Sequence, residues 1–152
     1  PIALSLAKRS LDVLLELALN KVPYALNAKL KTRALAQTKY AEALALYRSA
    51  KAFFYEEVER AWEVTKTGLD FDHSDKANLY LAGVHAVQAS ARVVKLVADA
   101  SGTSVTDKNN PLDQISRDME TLRHHGFVNE SRYASVAQAL WDSELDYPLI
   151  LR

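Results

Sequence analysis

Apolar positions recur at steps of three and four residues along most of this chain. Leu4, Ala7, Leu11, Leu14 and Ala18 lie on one stripe of a helix that the pattern carries to about Val22, where Pro23 ends it. A polar segment from Lys21 to Lys31 follows. A second stripe, Tyr40, Leu44, Tyr47, Phe54, Val58 and Ala61, then predicts a helix from about Leu30 to Lys66, stopped by Thr67-Gly68. Asp70 to Ser74 is a turn in which Asp72 or Ser74 can cap the next helix. That third helix, about Asp75 to Ala100, carries Leu79, Ala82, Ala86, Ala89, Val93, Leu96 and Ala100, and Ser101-Gly102 closes it. Its small residues let a neighbouring backbone come close, which places it at the centre. Pro111 opens a fourth helix that runs to about His125 and is broken by Gly126. A fifth, from about Asn129 to Asp142, has Tyr133, Val136, Ala137 and Leu140 on its stripe. The expected fold is all-α: an antiparallel, up-down-up-down four-helix bundle with a short extra C-terminal helix.

Composition narrows this picture. Four Gly and four Pro among 152 residues make hairpins and tight turns scarce, so strands are not expected. Nineteen basic residues balance nineteen acidic ones without a local basic patch, which argues against nucleic acid or an anionic bilayer as partner. There is no cysteine, hence no disulfide, thiolate nucleophile or cysteine-held zinc, and a cytoplasmic setting is expected. Lys8, Arg9, Asp12 and Glu16 interrupt the opening apolar run, so it suits neither a signal sequence nor a membrane span. Pro1 stands at the threshold of a helix, as though the domain were cut from a longer chain; a removed initiator Met is the alternative.

Several chemistries lack their residues. A ferritin-like metal site needs Glu-x-x-His pairs, and there are none; His-Glu-x-x-His, phosphate-binding Gly-rich loops and Gly-x-Ser-x-Gly are also missing, so no metal is expected. Glu56, Glu57 and Glu59 form a solvated face, and His73 and His85 stand alone, each a surface or core histidine. Two features remain. One is the polar loop Gly102 to Asn110, GTSVTDKNN, the kind of segment that carries function on a rigid scaffold. The other is the fourth helix, PLDQISRDMETLRHH, where helical geometry lines up Asp118, Thr121 and His125, and separately Arg117, Thr121 and His124. It is either an ion-pair helix or a helix offering an imidazole to a pocket as acid, base or hydrogen-bond donor.

These two segments carry a resemblance. Gly102-Thr103-Ser104, Asn110-Pro111-Leu112, Arg117-Asp118 and His124-His125, at this spacing, resemble the C-terminal helical domain of the acyl-CoA dehydrogenase superfamily. They are most similar to the branch of two-component flavin-dependent monooxygenases. The similarity covers nearly the whole chain, AKAFFYEEVERAWE included.

The resemblance implies that residues 1–152 are one helical domain of a longer flavoprotein, inactive alone. FMN or FAD would lie between this bundle and domains not present here, with a neighbouring subunit of a tetramer completing the pocket. In the monooxygenase branch a separate reductase supplies the reduced flavin, and O2 is used to hydroxylate a small aromatic or heteroaromatic substrate. By the resemblance, His125 would orient or deprotonate that substrate, or hydrogen-bond the activated oxygen, with His124 in that place if the helix is shifted by one residue. Gly102, Thr103, Ser104 and Asn110 would face the flavin or substrate, and Arg117 and Asp118 would form a structural pair. Lys21 keeps the charge of a family Arg-x-x-Phe-Gly turn that reaches a neighbour's flavin pyrophosphate, reading here Lys21-Val22-Pro23-Tyr24-Ala25. Dehydrogenases that use this loop place a Glu where Asn109 stands, and an amide cannot abstract a proton at neutral pH. A dehydrogenase whose base lies outside the chain, and a flavin-free interaction module, are the alternatives.

Overall fold

The computed structural model describes residues 1–24 and 27–151. The described residues form five α-helices: α1 Ile2–Asn20, α2 Ala34–Thr67, α3 His73–Ser101, α4 Pro111–Arg123 and α5 Arg132–Leu140. Three short 3-10 turns, Leu30–Thr32, Gly102–Thr106 and Pro148–Leu151, join or follow them. No strand occurs among the described residues. No helix is long and apolar enough to cross a membrane, among the described residues.

The ends of the helices follow local chemistry. α1 stops before Val22: the Lys21 N–H still reaches the Leu17 carbonyl, but Lys21 itself turns extended, so Pro23 lies beyond the end. The Lys21 carbonyl then accepts from the Leu30 N–H at 2.9 Å, which closes the segment between them. The residues expected to begin the long helix form a single 3-10 turn instead, and α2 starts after extended Arg33. Gly68 ends α2 in the left-handed region, φ 72°, as a C-cap glycine does. Of the two candidate caps for α3, Asp72 acts, its carboxylate accepting from the Asp75 N–H at 2.7 Å. α4 ends at Arg123, two residues short of the expected His125. α5 likewise begins at Arg132 and ends at Leu140, shorter than the expected span from about Asn129 to Asp142 but holding its whole apolar stripe.

The direction of each helix follows from which side chains share a core. Leu4 packs with Ala50, Ala86 and Ala89, whereas Leu11 and Leu14 pack with Ala43, Val93 and Val97. Moving up α1 therefore means moving up α3 and down α2. Leu112 joins Val97 and Ala100, while Ile115 and Met119 meet Val87 and Val94, so α4 also runs down. This is the expected up-down-up-down order. α3 packs against all four other helices, and α2 lies against α1 and α3 without reaching α4 or α5. The central place of α3 has the expected cause: Ala82, Ala86 and Ala89 are buried at 2% exposure or less, so neighbouring backbones approach it closely.

Candidate functional site

The bundle gathers its sequence-marked residues at two separate ends. α4 has 13 residues and so spans about 20 Å. The loop Gly102 to Asn110 lies at its start, beside the end of α1, and the two histidines lie at its finish.

At the first end, the loop is half helical: residues Gly102–Thr106 form a 3-10 turn directly after α3. Gly102 makes that change of direction possible with φ 60° and ψ −139°, a conformation strained for residues with a Cβ. Ser104 is thereby carried to Lys21, 83 residues away in sequence, and the Lys21 ammonium donates to its Oγ at 2.6 Å and to the Ser101 carbonyl at 3.3 Å. An ammonium has three N–H donors, so one remains for an acceptor outside this pair. Thr103 is exposed, its carbonyl accepting from the Thr106 hydroxyl. Asn110 caps α4, its side-chain oxygen accepting from the Leu112 N–H at 3.0 Å, so that oxygen is committed to the helix. Asn109 is exposed, and its backbone N–H donates to Asp107. Of the turn compared with the family, Ala25 lies outside the described residues.

Along α4 the expected Arg117–Asp118 pair is not formed. Neighbours in a helix point about 100° apart. Arg117 instead pairs with Asp113, one turn back, at 2.6 Å, and Asp118 accepts from Gln114. Thr121 spends its hydroxyl on the Arg117 carbonyl, so its side chain bonds neither histidine ring.

At the second end, His124 and His125 part company because α4 stops at Arg123. His124 is the C-cap residue, and its Nε2 lies 3.1 Å from Glu120 Oε1, whose carboxylate also accepts two hydrogen bonds from Arg123. Those Arg123 bonds, with His124 adding to them, lower the Glu120 pKa to about 2. His124 is thus the outer member of a surface ion cluster. His125 sits in the turn past the helix. Its Nδ1 accepts from the Phe127 N–H at 3.3 Å, and its ring meets the Phe127 ring edge-on, centroids 5.2 Å apart. Since an N–H can only donate, the neutral imidazole carries its proton on Nε2. His125 therefore presents an N–H donor outward.

The turn bearing His125 is held from α3. Gln88 is buried at 8% exposure and donates to the carbonyls of Arg123 and Val128 at 3.0 and 2.6 Å. The Tyr80 hydroxyl donates to the Phe127 carbonyl. The His125 carbonyl accepts from both the Val128 and Asn129 N–H groups at 2.9 Å. Behind the turn lies a mainly apolar cleft of about 510 Å³ walled by Leu79, Tyr80, Val84, Phe127, Tyr147 and Ile150. Phe127, Tyr80 and Tyr147 form its ring-lined side, and Arg132 stacks over Tyr147 at 4.1 Å. Burial, with Tyr147 close by, raises the Tyr80 pKa, which keeps its hydroxyl a donor. Gln88 and Tyr80 were not legible as site residues, because neither lies near the histidines in sequence and a glutamine inside an alanine-rich helix carries no motif.

His85, solitary in sequence, is half-buried between Phe53 of α2 and Tyr133 of α5. Its Nδ1 lies 3.3 Å from the Tyr133 hydroxyl. Burial, reinforced by Arg92, lowers its pKa below the ordinary 6.5. It is a partly buried packing residue between α2 and α5.

The match to known proteins agrees with this architecture. The chain belongs to the family described as acyl-CoA dehydrogenase, C-terminal domain, which it matches over residues 1–130. Among its relatives, the indole-3-acetate monooxygenase of Pseudomonas putida is 34% identical over 133 residues, covering 87% of this chain and 34% of that protein. The indole-3-acetate monooxygenase of Acinetobacter baumannii is 22% identical over 130 residues, 86% of this chain and 33% of that protein. The chain thus spans about a third of the length of these curated relatives. In fold it is similar to XiaF from a Streptomyces species, solved in complex with FADH2 and glycerol. That match has a TM-score of 0.88 at 12% identity and covers 97% of this chain and 38% of the other. The family resemblance read from the Gly102 loop, Asn110-Pro111-Leu112 and the tandem histidines is borne out.

Proposed function

We propose that this bundle is the C-terminal domain of a flavin-dependent monooxygenase that hydroxylates an aromatic or heteroaromatic substrate. The names of its relatives support the reaction class, and the fold shared with an FADH2-bound protein supports the cofactor. Among this chain's own residues, the observation that carries the reading is His125: an outward Nε2–H donor on a turn pinned at three carbonyls. Asn109, an exposed amide, leaves the loop without the carboxylate that abstraction of a proton beside a thioester demands.

The two ends of the bundle suit different polar groups of flavin, the loop end the pyrophosphate of a neighbouring subunit's flavin and the histidine end the reacting edge. Lys21 has a spare N–H directed by Ser104 and Ser101, which fits a phosphate oxygen. His125 fits a polar atom at the reacting edge. Bound reduced flavin, delivered by a separate reductase, supplies the two electrons with which O2 becomes one hydroxyl on the substrate and one water. His125 then acts as a fixed hydrogen-bond donor to the reacting oxygen or to the substrate, and not as the base, because its only free ring position already bears the proton. A tetramer in which a neighbour completes the pocket, FAD as the flavin, and a cytoplasmic location complete the proposal.

The test uses the whole polypeptide that carries this bundle, with a reductase, NADH and indole-type substrates. Oxygen uptake should depend on substrate, and His125→Ala should lower hydroxylation by about 10²- to 10³-fold while peroxide release rises. Unchanged hydroxylation in His125→Ala would remove the assigned role. Bleaching of bound flavin by an acyl-CoA without oxygen would establish a dehydrogenase instead.

A further inference from the structure

We infer that Gln88, assisted by Tyr80, is the positioning residue that sets the tautomer and direction of His125. The catalytic consequence rests on the function proposed above; the positioning itself does not. Both partners of the Gln88 amide are carbonyl oxygens, which can only accept, so the assignment of its nitrogen is unambiguous. Its two N–H groups span the turn, one on Arg123 at the last residue of α4 and the other on Val128 past the histidine. Tyr80, two helical turns earlier on α3, holds Phe127 from the same side. The backbone on both sides of His125 is therefore referenced to the central helix. The Phe127 N–H is consequently aimed at His125 Nδ1, and that single bond decides where the imidazole proton sits.

The arrangement differs from ordinary packing in one respect. An apolar side chain at position 88 could fill the space but would leave two part-buried carbonyls without their donors, and the turn would reopen to find water. The His125 ring would keep its place on the chain but lose its fixed orientation, with both tautomers populated.

The experiment uses the 152-residue chain labelled with 15N, reading the ring nitrogens of the four histidines and the exchange rate of the Phe127 amide. Wild type should show His125 protonated at Nε2. Gln88→Met keeps the length of the side chain and removes both donors. It should mix the His125 tautomers and speed Phe127 exchange by at least about tenfold, with the His85 ring and the α3 core amides unchanged. Tyr80→Phe, a milder change, should give a smaller shift in the same direction and serves should Gln88→Met fail to fold. A His125 signal and a Phe127 exchange rate that match wild type in the folded variants would overturn the inference. So would a rise in exchange spread evenly over the whole bundle. None of these signals involves flavin. If Gln88→Met shifts the tautomer while the whole protein keeps its ratio of hydroxylation to peroxide, the positioning stands and the proposed use of His125 falls.

Discussion

Replacing Gly102 by alanine tests how the loop end of the site is built. Nothing lies within 4 Å of a Cβ added at this position, so no clash contributes and the penalty is purely that of the backbone. Holding a non-glycine residue at φ 60°, ψ −139° costs about 1–3 kcal/mol, and alanine returns about 0.4–1 kcal/mol by stiffening the unfolded chain. The net loss is roughly 1–2 kcal/mol, which for a domain of this size lowers Tm by about 2–8 °C. The other three glycines calibrate it. Gly68→Ala, at φ 72° with open space around it, should cost about 1 kcal/mol. Gly126→Ala, exposed and without a positive φ, should change stability by less than about 0.5 kcal/mol. Gly83→Ala, inside α3 with room for a methyl, should stabilise by about 0.5–1 kcal/mol. Thermal and urea unfolding of the four variants gives the order directly. A cycle with Ser104→Ala then shows whether the strain is held in place or relieved by moving Ser104 off Lys21. If Gly102→Ala unfolds together with Gly126→Ala, the left-handed turn is not what delivers Ser104 to Lys21.

Two further outcomes follow from the packing. Ala86 is 1% exposed against Leu4, Ala50 and Phe54, so Ala86→Leu should lose about 1–3 kcal/mol by forcing α1 and α2 off α3, read as a lower urea midpoint at unchanged slope. Because burial holds the His85 pKa below 6.5, the unfolded chain takes up that proton first. Its contribution is therefore complete above pH 6.5 and declines as pH drops beneath that value. Urea unfolding between about pH 7.5 and 5.5 should show that decline, and His85→Phe should flatten it. Glu120, held near 2 by Arg123, adds a second loss only below its ordinary 4.5, a small one because the pair is exposed.

The order and sense of the helices were legible in the sequence because both follow from local patterning. The period of apolar residues, Pro111 at the first turn of α4, Asp72 at the cap of α3 and Gly68 beyond α2 each act within a few residues of chain. The alanines of α3 announced a central helix for the same reason: what they leave out is a property of the residue itself. The exact ends were less legible, since α4 could continue to His125 on propensity alone. It stops at Arg123, where Gln88 takes the Arg123 carbonyl and the turn beyond folds onto α3. That early stop is what separates His124, bound into the Glu120 cluster, from His125, held in the turn. The pairing of Lys21 with Ser104 and of Gln88 with Arg123 and Val128 joins residues 35 to 83 positions apart. Contacts at that separation depend on how helices pack, and no local period encodes them. Sequence by itself determined which segments are helical and which face of each is apolar; tertiary structure alone decided which polar groups meet across those faces, and so which imidazole is left facing outward with its proton in place.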